Sequence, residues 1–242
     1  MMLEYIQAEN LKCKRTFLKK LIFFAPMVTF LIAYISGTWF QINAFNSWYM
    51  MILPGYIALM AVMTNEKEQK KLRYRAVFGL PISLKKIWIS KILVNGIYMT
   101  LSCIVLSVGI ILAGYKFTVT VPFSRAIVAA VLIAVTSLWQ IPLCMFLAKK
   151  LGMLGTVLIN VCGSFILSAL TAITSLWWIC PYSWTARIMC PVLGNLPNGN
   201  LAKIGNPLLN PVVIPIGIIM SAIIFALLVI VSAYWFSKQE VN

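Results

Sequence analysis

Covalent chemistry has little to work with in this chain. Its carboxylates are Glu4, Glu9, Glu66, Glu68 and Glu240, and neither His nor Asp occurs. A Ser-His-Asp triad and an aspartyl dyad are therefore excluded, as are zinc sites built on His. All five carboxylates fall outside the long apolar runs, so a relay of buried acids has no members. Six Cys stand at 13, 103, 144, 162, 180 and 190, with no C-x-x-C pair. Cys103, Cys144 and Cys162 lie in apolar runs and read as small core residues. Cys180 and Cys190, each followed by Pro, are a candidate disulfide whose reach spacing alone cannot decide. The expectation is a chain with no catalytic residue, no metal site and no cofactor of its own.

Recognition chemistry is better supplied. Residues 65–91, NEKEQKKLRYRAVFGLPISLKKIWISK, lie between two apolar segments and hold eight of the twenty Lys and Arg residues. Asn65 reads as a helix N-cap with Glu68 three positions on, as a capping box asks. Glu66 and Glu68 suit the positive end of a helix dipole, and Glu66 is placed to pair with Lys70. Tyr74, Val77 and Phe78 give a small apolar face at i, i+3, i+4. Gly79 and Pro81 stop the helix, and Ser83 can cap the next. Glu66, Glu68, Lys70, Arg73, Tyr74, Phe78 and Pro81 therefore form a candidate docking surface for a soluble partner. The plainer alternative is a solvated charge run that only sets topology. No nucleotide-binding sequence is present, so any motor is a separate protein.

The elements that position this hairpin are apolar. The chain is 62% hydrophobic, against about 45–50% in soluble domains. Runs near the roughly 20 residues that cross a bilayer predict an all-α, multi-pass membrane protein. Six spans are expected, at about 21–40, 47–64, 92–114, 124–148, 151–175 and 211–236. The chain reads as one domain, without repeat or linker. Sixteen of the basic residues fall at residues 1–20, in the 65–91 hairpin, at Lys149 and Lys150, and at Lys238. Lys116, Arg125, Arg187 and Lys203 fall on the other side. That bias places both termini in the cytoplasm, and it accounts for the net charge of +15 without nucleic acid. The first apolar run is too long for a signal-peptide core, and no small-residue cleavage pattern follows it.

Two further segments stand apart. Within 2–18, Leu3, Ile6, Cys13 and Phe17 recur at near-helical spacing, with Lys12, Lys14, Arg15 and Lys19 as a basic side. This predicts a helix lying along the membrane surface among the lipids. Residues 176–210 are too broken for a span. They carry Trp177, Trp178, Tyr182 and Trp184, then turns rich in Pro and Gly. Short re-entrant helices covered by other helices and an ordinary interfacial aromatic belt both fit.

Three stretches carry a resemblance: RTFLKKL at 15–21, FNSWYMMILPGYIALM at 45–60 and YRAVFGLPISLKKIWISKIL at 74–93. The pattern of Trp48, Tyr49, Leu53, Pro54 and Gly55, followed by the basic hairpin, resembles the permeases of lantibiotic-immunity ABC transporters. The resemblance is to the MutE/EpiE-like group, whose sister MutG/EpiG-like group shares much of it. It covers roughly residues 1–95, and the rest matches in span layout. It implies an ABC-2 type permease with an N-terminal interfacial helix, a coupling helix between spans two and three, and re-entrant elements before the last span. It implies two copies of an ABC ATPase, which bring ATP and Mg, and typically a second sister permease. The implied role is export of lantibiotic-type antimicrobial peptides from the bacterial cell membrane. Pro54 and Gly55 would either break span two and free carbonyls or kink it. Trp48, Tyr49 and Pro54, with Trp177, Trp178 and Trp184 chosen on chemistry alone, are the substrate-path candidates, since aromatic faces hold cationic peptides. A membrane immunity protein that sequesters the peptide without transport, and an ABC-2 permease for another hydrophobic cargo, remain the competing classes.

Overall fold

A computed structural model of the chain describes residues 2–14, 16–72 and 83–239, with only the backbone of 67–72. Helix α1 (Met2–Lys12) leads into α2 (Phe17–Tyr34), then α3 (Phe40–Ser47), α4 (Leu53–Leu72) and α5 (Leu84–Gly114). There follow α6 (Phe123–Ser137), α7 (Gln140–Cys162), α8 (Pro181–Leu193) and α9 (Val213–Ser237). Among the described residues there is no strand. Five stretches are long and apolar enough to cross a membrane: Phe17–Tyr34, Gly37–Glu66, Leu84–Gly114, Gln140–Thr171 and Val213–Ser237. Many of their large apolar side chains are exposed, including Phe23, Leu31, Leu112, Leu154 and Ile230. Water would penalise such a surface and lipid would not. These helices suggest a membrane-embedded protein.

The stretch Gln140–Thr171 is not one straight rod. Gly152 has φ 70° and ψ −164°, a conformation that only Gly adopts cheaply. Asn160 Nδ2 donates to Gln140 Oε1 at 3.0 Å, although a straight helix would hold these positions about 30 Å apart. The chain therefore doubles back at Gly152 into two arms, and α4 packs most extensively against them. The first arm continues the direction of α6. Leu138 and Trp139 keep right-handed helical dihedrals, and Ile141 N–H bonds to Leu138 O at 3.1 Å in a tightened turn.

The hairpin between α4 and α5 differs from its sequence reading. Asn65 is not an N-cap. It lies inside the continuous helix α4, buried, with Nδ2 donating to the Met145 carbonyl at 2.9 Å. A buried interhelical bond has won over a local cap. Ser83 does occupy the N-cap position of α5, but its side chain makes no capping bond. Helix α5 begins at Leu84, eight residues before the expected span. Glu66 is partly exposed on α4. Glu68 and Lys70 lie on its last turns, and their side chains are outside the described residues, as are Arg73, Tyr74, Phe78 and Pro81.

Helix α1 packs on α5. Tyr98 OH donates to Asn10 Oδ1 at 2.5 Å, and Glu9 is buried in an ion pair with Lys12 at 2.6 Å. Leu3 and Leu11 remain exposed. Elsewhere, Gln41 fastens the connection after α5. Its Nε2 donates to Ile110 O at 3.0 Å, and its Oε1 accepts from the N–H groups of Thr120 and Val121 at 2.7 and 2.9 Å.

Candidate functional site: a groove beside two π-turns

Pro54 determines the local structure here. It lacks the N–H that a helix needs, and the preceding turn, Trp48–Ile52, is wound as a π-helix. Leu53 N–H reaches back to the Trp48 carbonyl. In the same register Pro54 would serve the Tyr49 carbonyl, and it cannot. Ser164 Oγ stands against that carbonyl instead, at a long 3.5 Å. The Pro54 carbonyl itself accepts from Asn160 Nδ2 at 2.8 Å. Asn160 and Ser164 are four residues apart and share one face of the second arm of α7. The helix is thus not broken: Ser164 stands at the Tyr49 carbonyl that Pro54 cannot serve, and Asn160 adds a bond to the Pro54 carbonyl.

A second π-turn, Gly163–Leu167, faces the first. A Cβ at Gly163 would meet the Tyr182 ring at 2.9 Å, so only Gly lets that ring lie against the turn. Tyr182 OH donates to Asn160 Oδ1 at 3.2 Å. Asn160 therefore joins Pro54, Gln140 and Tyr182, and so three separate segments. π-Turns are uncommon and recur at functional sites.

Between the first π-turn, the end of α2 and Phe165 lies an open groove of about 310 Å³. Ser36, Asn43, Asn46 and Ser47 supply its polar lining, and Ile32, Met50, Met51, Ile52 and Phe165 its apolar lining. No carboxylate or cation lines it. The volume is at the low end for a ligand pocket and suits a few side chains of a larger molecule. Asn46 of this lining donates through Nδ2 to the hydroxyl of buried Tyr49 at 3.2 Å, and that hydroxyl also accepts from Asn195 Nδ2 at 3.3 Å. Asn46 Nδ2 also reaches the Pro197 carbonyl at 3.2 Å. Gly199, at φ 87°, sits against Asn43 and Asn46. The turn closed by the Asn195–Leu201 bridge is thereby pinned to α3.

The segment 176–210 is organised around α8, in which every residue from Ser183 to Cys190 is buried. It packs against α6, α9 and residues 163–171 that follow α7, with Thr136 and Thr185 hydroxyls 2.9 Å apart. Gly194, left-handed at φ 76°, ends it. Arg187 donates through Nη1 to the Leu208 carbonyl, tying the two halves of the segment together. Of the tryptophans predicted to lie on a substrate path, Trp177 and Trp184 are buried with Trp139, and Trp184 Nε1 donates to the Trp178 carbonyl at 2.9 Å. Trp178 is 48% exposed. Trp48, the first residue of the π-turn, is fully buried. None of these four lines the groove, and neither do Tyr49 and Pro54.

The candidate disulfide is corrected. Cys180 and Cys190 are free thiols at opposite ends of α8. Ten helical residues separate them by about 15 Å, whereas a disulfide needs Cα atoms within about 7 Å. Burial pushes the Cys190 thiol up to about 11, so at neutral pH it is protonated and unreactive.

Sequence reasoning passed over Asn43, Asn46, Gln140, Asn160, Ser164 and Asn195. The available signal was their polarity within or beside apolar runs, where a polar side chain must find a partner. No family model matches this chain, and neither a curated protein nor a solved structure does.

Proposed function

We propose that this chain is the permease subunit of an ABC-2 type exporter that removes lantibiotic-like antimicrobial peptides from a bacterial membrane. In this reading the chain crosses the membrane six times. The bent rod of α6 and the first arm of α7 makes one crossing, and the second arm after Gly152 makes another. Helix α8 is a re-entrant element, and α1 lies at the membrane surface. Both termini, the 65–91 hairpin and the Lys149–Lys150 turn face the cytoplasm. The groove faces outward.

The observation that carries the reading is the continuity of α3, the π-turn and α4. This one helical rod runs from the groove to the basic hairpin. From Ser47 to Glu66 it spans about 28 Å, close to the roughly 30 Å hydrocarbon thickness. A push on the hairpin therefore reaches Met50, Met51 and Ile52 without an intervening loop. A π-turn holds an extra residue that can migrate, so such a push can rotate the groove wall. Two copies of a separate ATPase supply ATP and Mg, and a second permease completes the pathway. The groove takes apolar and amide-bonding side chains of the peptide. Met50 and Met51 adapt to different shapes, and the cation of such a peptide meets no positive charge in the lining.

The test is co-expression of the tagged chain with an ABC ATPase encoded beside it, in a lantibiotic-sensitive host. The expected result is co-purification in mild detergent, peptide-stimulated ATP hydrolysis, and resistance that disappears when the ATPase is inactivated. Protection by the chain alone, with no ATPase retained, would replace export by sequestration.

A further inference from the structure

We propose that the basic end of the bundle carries a binding site for an anionic phospholipid, with its phosphate held by Lys85, Lys150 and Lys238 and its acyl chains along α9. These lysines come from three segments: the start of α5, the reversal before Gly152, and the residue after α9. They converge on two neighbouring rings. Lys85 Nζ and Lys238 Nζ lie 5.4 and 5.6 Å from the Tyr234 ring, and Lys150 Nζ lies 5.5 Å from Trp235. Lys149 is also close, 4.6 Å from Phe236. Trp235 and the adjacent Phe236 are fixed from behind. Trp88 stacks on Phe236 at 4.5 Å and donates to Ser232 Oγ at 2.9 Å, and Phe146 meets Trp235 edge-on at 4.8 Å.

Lys85, Lys150 and Lys238 are exposed, and among the described residues no carboxylate stands against any of them. Like charges collected at one end of the bundle repel, and an anion between them would turn repulsion into binding. The neighbouring surface identifies the kind of anion. Ile216, Ile219, Ile223, Leu227, Ile230 and Tyr234 recur at helical spacing on α9, and all are exposed. This apolar stripe is about 27 Å long and ends directly under Lys85 and Lys238. A phosphate alone would use only the lysines, and an acidic soluble protein would leave the stripe bare. A diacyl anionic lipid uses both, as basic pockets at helix ends do.

The test uses the full chain in neutral detergent. Phosphatidylglycerol, phosphatidylcholine of the same chains, and inorganic phosphate are titrated while thermal stability and retained lipid are followed by fluorescence and native mass spectrometry. Phosphatidylglycerol is expected to raise Tm and stay bound, and the other two to do neither. Each Lys→Gln should weaken phosphatidylglycerol about fivefold, and the triple variant Lys85→Gln, Lys150→Gln, Lys238→Gln should lose the shift. The triple Lys→Arg variant should keep it, which guards against a merely misfolded Gln variant. Equal effects of both lipids, a full shift from phosphate alone, or a Gln triple that still binds phosphatidylglycerol would each overturn the proposal. So would a Gln triple that keeps its lipid but loses the ATPase, since that assigns the patch to a protein partner.

Discussion

At the scale of single residues, Asn160 is the side chain on which the site depends most. It is fully buried, and its two polar atoms serve the Pro54 carbonyl, Gln140 and Tyr182. A hydrogen bond between helices in a membrane averages only about 0.6 kcal/mol, because the unfolded helices find other partners. Asn160→Leu removes three at once and leaves Gln140 and Tyr182 without that partner. The expected loss is about 1–3 kcal/mol, read as a clear fall in Tm in micelles. Ser164→Ala removes one long contact of 3.5 Å, and should cost less than about 0.5 kcal/mol. If the two variants melt alike, Asn160 does not tie its three segments together as its bonds imply. Cysteine chemistry offers a second check at this scale. Alkylation of Cys190 in the folded protein should be negligible at pH 7 and should become rapid only on unfolding, because the thiol is fully buried. Oxidant should produce no intramolecular bond with Cys180. Rapid labelling at pH 7, or a Cys180–Cys190 crosslink, would show that α8 is not the intact buried helix described.

At the scale of elements, the distinguishing feature is the π-turn ahead of Pro54. Pro54→Leu restores an N–H, which can bond to the Met50 carbonyl and let Trp48–Ile52 relax toward a regular helix. Losing the extra residue rotates α3 about 100° relative to α4 and moves Met50 and Met51 off the groove. If the chain is the proposed permease, the variant should keep or gain stability while losing resistance and peptide-stimulated ATP hydrolysis. A variant with wild-type resistance would leave the π-turn without a role. The sequence made part of this visible. Apolar length located the long helices, and Pro54 and Gly55 marked an irregular point in the second. It did not show what meets the displaced carbonyls, because Asn160 and Ser164 lie more than a hundred residues away and only packing brings them across. Asn65 failed for a related reason. Its type and its spacing to Glu68 fit a cap, but a capping box is a local signal, and the Met145 carbonyl that claims Asn65 is contributed by another helix. For Cys180 and Cys190, the two prolines suggested turns where one helix actually runs, with Pro181 at its tolerated first position.

For the whole molecule, the question is whether the rod from groove to hairpin works as a lever. Charge reversal at its basic end, Glu66→Lys with Glu68→Lys, is a change about 28 Å or more from the groove. Glu66 is partly exposed, so reversal there should leave the packing of α3, α4 and α7 intact. If the hairpin is where an ATPase grips the permease, the double variant should insert normally and melt within about 2 °C of wild type. It should also retain phosphatidylglycerol, because Lys85, Lys150 and Lys238 are untouched. It should nevertheless lose co-purification with the ATPase, or keep basal ATP hydrolysis that peptide no longer stimulates, and resistance should fall to that of cells without the chain. Separating these readouts matters because a groove variant such as Asn46→Leu should do the reverse, keeping the ATPase bound while losing the response to peptide. Full protection by the Glu66, Glu68 variant would mean that force does not enter through the hairpin. The rod would then be a structural strut, and the case for export would have to rest on the groove alone.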